Sequence, residues 1–377
     1  MIRGATIAQI GPRAGDHCRG SKLDITGQYV MPGLIDTHVH GWGNPSPARD
    51  ESGEDEPDTQ AVLAKVLGAG VMATLDLAGS DEGRIAARDK LRGSPEHAAL
   101  FVASAIMARA PRAGKPLSGD AELREKVRAR VRLHPDLIKI ISFGGPVDAL
   151  IDEARKLGLK TVVHISDWDQ ARAALRAGAT AITHLEDEAI IPPDLLTAWA
   201  KQPTWSIPTM VVQCDLAKLV ASPARLSDPL LMRMTTPALR AAYRDEGHFS
   251  TRAREWITWQ TEGCVPHDFP SLRQLHASGV GLLAGSDTGN LGTFQGYSLH
   301  REIELMAEAG IPTWEALRSA TTNAAAFLGI PWGVAAGDPA NLVVLAGSPL
   351  ADIGNTRRIV HVIHLGHRIA LPPLTTP

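Results

Sequence analysis

The sequence has little cysteine and no excess of charge of either sign. Only three cysteines occur among 377 residues, at Cys18, Cys214 and Cys264, and none forms a C-x-x-C pair. An odd number of scattered cysteines argues against a disulfide framework and a thiolate zinc knot, so we expect free thiols and a reducing, cytoplasmic location. The 38 Lys and Arg residues nearly balance the 41 Asp and Glu residues, which gives a formal net charge of −3. This balance supplies no positive field for nucleic acid or an anionic membrane surface.

Long apolar runs are also missing. No stretch reaches the roughly 18 apolar residues that span a bilayer. The N-terminal MIRGATIAQIGPRAG lacks the continuous apolar segment of a secretory signal. Hydrophobic residues make up 44% and charged residues 21% of the chain, which is ordinary usage for a globular protein and argues against disorder. We therefore expect a soluble protein with neither nucleic acid nor a membrane as its partner.

Eight short apolar runs rich in β-branched residues alternate with segments of helical period such as VDALIDEARKLG. Alternating strands and helices predict a parallel sheet with helices outside it, and eight such units predict a (β/α)8 TIM barrel. The predicted strands cover residues 34–39, 71–77, 100–106, 137–142, 161–165, 180–184, 204–210 and 280–284.

The two ends of the chain lack this alternation. ATIAQIG and DITGQYV near the start, and ANLVVLAG and RRIVHVIHLGHRIAL near the end, have the composition of strands without helices between them. We expect residues 1–31 and 335–377 to pair as a small accessory β-sandwich beside a barrel of residues 32–334. Between the seventh and eighth strands, residues 211–270 form a mostly polar, helical insertion with several aromatic residues, which is typical of a lid or an oligomer surface.

The first predicted strand ends in two histidines, in MPGLIDTHVHGW. Side chains alternate along a strand, so Asp36, His38 and His40 share one face. That face points into the barrel near the carboxyl ends of its strands, where barrel enzymes have their active sites. Two imidazoles at positions i and i+2 can hold one metal ion, although an isolated H-x-H pair is more often structural.

Four further strands each carry one ionisable residue at the corresponding end. Lys139 lies between two isoleucines in the fourth strand, and an unpaired ammonium there would be unfavourable by several kcal/mol. This lysine should therefore be paired, neutral or chemically modified. His164, His184 and Asp287 end the fifth, sixth and eighth strands; singly, each has an ordinary explanation as a core histidine or a helix N-cap. Together with the first pair they converge on one rim of one barrel, which predicts a metal site.

With these motifs the chain resembles the amidohydrolase superfamily, specifically its imidazolonepropionase-like and prolidase-like branch of metal-dependent hydrolases. The resemblance extends over nearly the whole chain, including the closing GDPANLVVLAGSPLADI. It rests on the segments VMPGLIDTHVH, LIKIISFGG, TVVHIS, TAITHLE and AGSDTG.

The resemblance implies a binuclear metal centre whose ligands are the six strand-end residues. One divalent metal would be held by His38, His40 and Asp287, the other by His164 and His184, and both by Lys139 as an N6-carboxylysine. The carbamate would replace the buried ammonium with an anion that the two cations neutralise. Mixed imidazole and carboxylate ligands suit zinc best, with manganese, cobalt or iron not excluded.

The implied activity is hydrolysis of an amide-like carbon–nitrogen bond in a small molecule: a cyclic amide, an N-acyl amino acid or a dipeptide. A metal-bridging hydroxide would attack the carbonyl, with Asp287 as the proton shuttle and Asp36 as a support for the histidines. The same site could act on an ester, a lactone or a phosphotriester. A mononuclear deaminase is disfavoured by Lys139, and a metal-free scaffold is disfavoured by the complete ligand set. A homo-oligomer is left open.

Candidates for substrate contacts are few. Arg109, with Arg112 and Lys115, follows the third strand and could meet a substrate carboxylate, although a solvated loop explains these charges as well. Trp168 could line the pocket or cap a helix. His300, in YSLHRE, could be a site residue or could pack between helices.

Overall fold

The computed structural model describes residues 1–16, 18–41, 43–49, 58–77, 82–109, 119–186 and 188–375. The strands in these ranges are β1 (Ile2–Arg3), β2 (Thr6–Ile7), β3 (Tyr29–Pro32), β4 (Leu34–Val39), β5 (Val71–Asp76), β6 (Ala99–Arg109), β7 (Leu137–Phe143), β8 (Lys160–His164), β9 (Ala181–Thr183), β10 (Trp205–Ile207), β11 (Leu342–Leu345), β12 (Ile359–His364) and β13 (His367–Ile369).

The helices are α1 (Thr59–Leu67), α2 (Glu82–Leu91), α3 (Asp120–Val131), α4 (Asp148–Lys156), α5 (Trp168–Ala177), α6 (Pro193–Trp199), α7 (Met210–Ala221), α8 (Pro229–Met234), α9 (Pro237–Arg244), α10 (Thr251–Gly263), α11 (Phe269–Ala277), α12 (Tyr297–Glu308), α13 (Thr313–Ser319) and α14 (Thr322–Leu328). A π-helical turn at Cys264–Asp268 joins α10 to α11. Among the residues just given, no helix is both long and apolar enough to cross a membrane.

Strands β4 to β10 form one parallel sheet in chain order, and a helix follows each strand. The predicted eighth strand is present as an irregular segment between β10 and β4 rather than as a regular strand. The amide of Leu283 donates to the Ser206 carbonyl (2.9 Å), and the amide of Asp287 donates to the His38 carbonyl (2.7 Å), so the segment touches both edges of the sheet. The predicted TIM barrel is confirmed, with this segment closing it.

Glycines explain why the closing segment fits there. A Cβ on Gly285 would lie 2.6 Å from Cβ of His38 and 2.7 Å from a methyl group of Ile207. A Cβ on Gly281 would lie 2.5 Å from the ring of Trp205. Only glycine tolerates backbone approaches this close. The segment therefore places Asp287 directly beside the histidine-bearing strand β4.

The lower interior of the barrel is apolar. Leu137 lies two residues before Lys139 on β7, and Val162 lies two residues before His164 on β8, so each points inward one layer below the corresponding candidate ligand. These two side chains belong to one buried cluster that Phe327 of α14 also joins. The polar rim of the barrel therefore lies directly above a layer of buried apolar side chains.

An accessory antiparallel sheet is formed by both ends of the chain, as predicted. β3 pairs with β11, which pairs with β12, which pairs with β13. The β1–β2 hairpin joins this unit through a bridge from Thr6 to Pro339. Residues 8–28 carry no strand where the structure describes them, so the strand expected at DITGQYV begins only at Tyr29.

The expectation of three free thiols is wrong for two of the cysteines. Cys214 in α7 and Cys264 after α10 form a disulfide, with their Cα atoms 5.4 Å apart, and Cys18 is free. The two cysteines are separated by 50 positions in the sequence, so no short sequence motif predicts that they pair. Disulfides are rare in a reducing cytoplasm, and the bond therefore counts against the predicted cytoplasmic location.

Candidate metal centre

Strand β4 and the closing segment bring two histidines onto one carboxylate. Oδ1 of Asp287 lies 2.8 Å from Nε2 of His40 and 3.2 Å from Nε2 of His38. One nitrogen of His38, one nitrogen of His184 and one carboxylate oxygen of Asp287 all lie within 4.8 Å of one another. Neutral imidazole and carboxylate are common ligands of divalent transition metals, so these atoms could hold one ion.

His164 lies beside the same cluster. Its ring centroid is 4.4 Å from that of His184, which is in turn 5.3 Å from that of His38. His38 on β4, His164 at the end of β8 and His184 just after β9 therefore lie close together at the barrel mouth. This is the convergence predicted from the sequence, although the ligand role of each residue stays a prediction.

Threonine hydroxyls orient two of the rings. Nδ1 of His38 lies 2.8 Å from the hydroxyl of Thr183, and Nδ1 of His184 lies 2.8 Å from the hydroxyl of Thr209. With Nδ1 of His38 engaged in this way, its Nε2 is the atom that faces Asp287. Hydrogen bonds of this kind fix the ring orientation and tautomer of metal-binding histidines.

Burial keeps the imidazoles of His38, His164 and His184 neutral. It lowers the pKa of His38 well below its usual value, that of His164 to about 2 and that of His184 to about 4. Burial alone would raise the pKa of Asp287, but the neighbouring histidines outweigh it and hold that pKa well below the usual range. Neutral imidazoles beside an ionised carboxylate are the protonation states that metal binding requires.

Lys139 is buried at 2% exposure, and its Nζ atom has no hydrogen-bond partner among the described residues. Burial lowers the pKa of this amine to about 7, against an opposing attraction from Asp287. The sequence required a paired, neutral or modified lysine, and the structure excludes direct pairing within the described chain. A lysine in this state is a nucleophilic amine rather than a fixed charge.

Asp36 ties the closing segment to β4. Its carboxylate accepts hydrogen bonds from the amide and the hydroxyl of Ser286, at 2.9 and 2.5 Å, and from the amide of His38 at 3.3 Å. Burial raises the pKa of Asp36 to about 7. These contacts fit the predicted supporting role, because they hold the two backbone segments that carry His38 and Asp287.

Two candidate ligands have unusual backbones. His184 has φ = 75° and Asp287 has φ = 49°, both in the left-handed region that non-glycine residues seldom adopt. Backbone strain of this kind persists only where the surroundings enforce it, and it is concentrated at functional sites. Both residues lie at the barrel mouth, where each lines the cleft that opens beside the cluster.

A cleft of about 320 Å³ opens beside the cluster. Its walls come from β8, β9, the closing segment and the insertion that follows β10. The lining residues are His164, Ile165, Ser166, His184, Leu185, Val212, Gln213, Trp256, Trp259, Asp287 and Asn290.

Neither Trp168 nor His300 lies among these lining residues, and the side chain of Arg109 lies outside the described part of the chain. The backbone of Arg109 ends β6 opposite Phe143, while Arg112 and Lys115 lie outside the described residues. Trp168 begins α5, is buried, and donates its indole N–H to the Ala189 carbonyl. His300 is fully buried in α12, with Nε2 2.8 Å from the Ala69 carbonyl. For His300 this geometry fits the packing alternative. Trp168 is the first residue of α5, whose N-cap is Asp167, so it does not cap the helix itself.

Sequence reasoning missed other polar groups near the cluster. Glu302 on α12 is buried and accepts a hydrogen bond from the amide of Val211 at 2.7 Å. Burial raises the pKa of Glu302 to about 8. The buried amide of Gln213, on the first turn of α7, was also missed. Neither residue lies at the end of a barrel strand, which was the signal used to find the other six.

Known proteins are similar to this chain in sequence and in fold. One curated relative is the imidazolonepropionase of Deinococcus radiodurans, 28% identical over 145 residues; the match spans 37% of this chain and 35% of that protein. A putative prolidase from Bifidobacterium longum has a similar structure, with a TM-score of 0.72 and 23% identity over 99% of this chain and 89% of that one. A Xaa-Pro dipeptidase with methionine bound in its active site has a TM-score of 0.72 and 20% identity over 97% and 93%.

These structural likenesses establish the fold. The sequence match to the Amidohydrolase family extends over residues 29–369, which includes every candidate ligand. The chain therefore belongs to the amidohydrolase family.

Proposed function

We propose that the protein is a binuclear, metal-dependent hydrolase that cleaves an amide-like carbon–nitrogen bond in a small molecule. Its family is one of hydrolases acting on such bonds. The observation that carries the proposal is the buried cluster at the barrel mouth, where His164, His184 and Asp287 line a cleft and Lys139 has no hydrogen-bond partner within the described chain.

The donor set fits two divalent cations. His38, His40 and Asp287 would hold one cation, and His164 and His184 would hold the other. The pKa of Lys139, lowered to about 7, leaves much of its amine neutral at physiological pH. The neutral Nζ can attack carbon dioxide, forming an N–C bond and releasing one proton, and the resulting carbamate would bind both cations. Zinc suits these ligands best.

When bound, such cations polarise a carbonyl group and make hydroxide available at neutral pH. Asp287 lines the cleft and is ionised, so its carboxylate can accept the proton of the attacking water. The same group can then pass this proton to the departing amine, because it lies on the wall that the substrate touches. Thr183 and Thr209 keep two imidazoles in the binding tautomer throughout.

The test is hydrolysis by zinc-reconstituted protein of a panel of N-acyl amino acids, Xaa-Pro dipeptides, cyclic amides, lactones and aryl esters. We expect turnover of at least one amide class. Asp287→Asn should lower kcat by roughly 10²- to 10⁴-fold, the usual contribution of a general acid–base group. Asp169→Asn, at a carboxylate that is 95% exposed, is the matched control and should leave kcat unchanged. Hydrolysis of esters or lactones with no amide turnover would contradict the proposal, as would full activity of Asp287→Asn.

A further inference from the structure

Asn290 lies on the wall of the cleft, three residues after Asp287 in the chain, and both side chains line the cleft. Asn290 is partly exposed there, whereas Asp287 is 5% exposed. A molecule that comes within reach of the Asp287 carboxylate therefore also comes close to the Asn290 side chain. Asn290 was not among the residues that the sequence singled out, because it follows the end of the eighth strand instead of forming it.

A hydrogen bond fixes the orientation of the Asn290 side-chain amide. Its Nδ2 donates to the Asp287 carbonyl at 2.9 Å. A carbonyl oxygen only accepts hydrogen bonds, so the amide group cannot flip without losing this one. With Nδ2 engaged, no described residue donates a hydrogen bond to Oδ1 of Asn290. Asn290 therefore offers the cleft a hydrogen-bond acceptor, and not a donor.

The backbone of Asn290 is held in place as well. The hydroxyl of Thr293 accepts from the amide of Asn290 at 3.2 Å and donates to its carbonyl at 2.7 Å. The amide of Thr293 donates to the same carbonyl at 3.1 Å. Thr293 is fully buried, so bulk water does not compete for these bonds. The acceptor is thus preorganised, and little entropy is lost in ordering it when a donor binds.

The proposed reaction brings a hydrogen-bond donor to this place. A secondary amide carries an N–H group at its scissile bond, whereas a tertiary amide carries a carbon substituent there and an ester has an oxygen. If Asp287 passes a proton to the departing nitrogen, that nitrogen must come within hydrogen-bond reach of its carboxylate. Oδ1 of Asn290, on the same wall of the cleft, can then accept from the N–H group.

We propose that Asn290 makes the site specific for secondary amides, because its Oδ1 accepts a hydrogen bond from the N–H of the scissile bond. This inference rests on the proposed hydrolase function and narrows its substrate class. The hydrogen bond leaves the lone pair of the nitrogen turned towards Asp287 once the carbonyl carbon has been attacked. An ester would place oxygen lone pairs against Oδ1, and a tertiary amide, such as a Xaa-Pro dipeptide, would place a carbon substituent there. A site that hydrogen-bonds a substrate N–H disfavours analogues that lack it.

N-benzoylglycine and its ester counterpart, O-benzoylglycolic acid, test the inference because they differ only in N–H or oxygen at the scissile bond. Esters are intrinsically more reactive than amides, so the informative quantity is the change that Asn290→Leu makes in kcat/KM for each compound. We expect at least a tenfold loss for N-benzoylglycine and no loss for the ester. Equal losses for the two compounds would show a merely structural role for Asn290 and would overturn the inference, as would no loss for either.

Asn323→Leu is the matched control variant. The side-chain amide of Asn323 donates to the Leu282 carbonyl at 3.1 Å, so this substitution also removes an asparagine hydrogen bond to the backbone of the closing segment. Asn323 is not among the residues that line the cleft. The ratio of kcat/KM for N-benzoylglycine to that for the ester should therefore stay at its wild-type value. A change in this ratio as large as that in Asn290→Leu would contradict the assignment to Asn290.

A third compound tests the N–H group without changing the protein. N-benzoylsarcosine is an amide whose nitrogen carries a methyl group in place of the hydrogen. The wild-type protein should cleave it at least tenfold less efficiently than N-benzoylglycine, and Asn290→Leu should narrow this difference. Equal kcat/KM values for the two amides in the wild type, or a preference for N-benzoylsarcosine, would overturn the inference.

A binding measurement separates failure of the inference from failure of the proposed function. If the zinc-reconstituted wild type hydrolyses no amide, the proposed function fails, and N-benzoylglycine can be titrated into it by calorimetry without being consumed. Binding that Asn290→Leu weakens by about 3- to 10-fold, with unchanged binding of N-benzoylsarcosine, would still support the role of Asn290. Binding that Asn290→Leu leaves unchanged, or no binding at all, would overturn it. Amide hydrolysis with a wild-type amide-to-ester ratio in Asn290→Leu overturns the inference and leaves the hydrolase function intact.

Discussion

Removing the Cys214–Cys264 disulfide should destabilise the protein by several kcal/mol. The bond closes a loop of 50 residues and joins two buried side chains. A cross-link of this span lowers the conformational entropy of the unfolded chain by an amount worth about 4 kcal/mol at 25 °C, and measured native disulfides usually contribute 2–5 kcal/mol. The variant Cys214→Ala/Cys264→Ala should therefore lose about 4 kcal/mol of unfolding free energy. Part of this loss of stability would be local to the insertion, because no covalent bond would then join α10 to α7.

The assay is urea unfolding without reductant, compared with Cys18→Ala, which removes the free thiol and should leave stability nearly unchanged. Thiol titration of the denatured, unreduced wild type should count one thiol of the three. A count of three thiols would show that the bond does not form. A loss below about 1 kcal/mol in the double variant, with one thiol counted in the wild type, would refute the entropic reasoning.

Three further predictions concern residues around the candidate metal centre. Burial raises the pKa of Glu302 from 4.5 to about 8. In metal-free protein, the protonated form of Glu302 therefore contributes its full stabilisation below about pH 4.5. This contribution is lost as the pH rises through 8. Glu302→Gln should flatten the pH dependence of Tm between pH 5 and 8, and an unaltered slope would contradict this account. Gly285→Ala should lower the unfolding free energy measured by calorimetry by about 1–3 kcal/mol, because the added Cβ would meet His38. Gly15→Ala is the control and should leave stability unchanged, because the space around Gly15 is open. Equal effects of the two substitutions would disprove the packing argument. Thr183→Val should weaken metal binding about 10- to 100-fold in a chelator competition, since it removes the hydrogen bond to Nδ1 of His38; wild-type affinity would count against that role.

The sequence predicted those parts of the fold that depend on local pattern. Alternating apolar strands and amphipathic helices predicted seven barrel strands close to their observed positions. This was possible because the periodicity of apolar residues that distinguishes a strand from a helix is visible within each element of the sequence. The eighth differs because Gly281 and Gly285 let the backbone press against neighbouring side chains, which breaks the regular ladder. Such a close approach is set by the partner strands and cannot be read from the segment itself.

The position of the candidate site follows from the same kind of reasoning. Lys139, His164 and Asp287 were singled out because barrel topology places the carboxyl ends of all strands at one rim, and their ligand roles stay predictions. The family match confirms the resemblance that these motifs carried.

The disulfide was not predictable in this way. Cys214 meets Cys264 only because α10 folds back onto α7. This contact depends on tertiary packing within an insertion that has no repeating pattern.

The central claim, that six side chains hold two metals, is tested most directly by metal stoichiometry. Protein reconstituted with zinc and bicarbonate, then dialysed, should contain two equivalents of zinc by elemental analysis. Lys139→Ala should hold one equivalent or less, and Lys201→Ala, at an exposed lysine, should still hold two. Less than one equivalent in the wild type, or two equivalents in Lys139→Ala, would contradict the account.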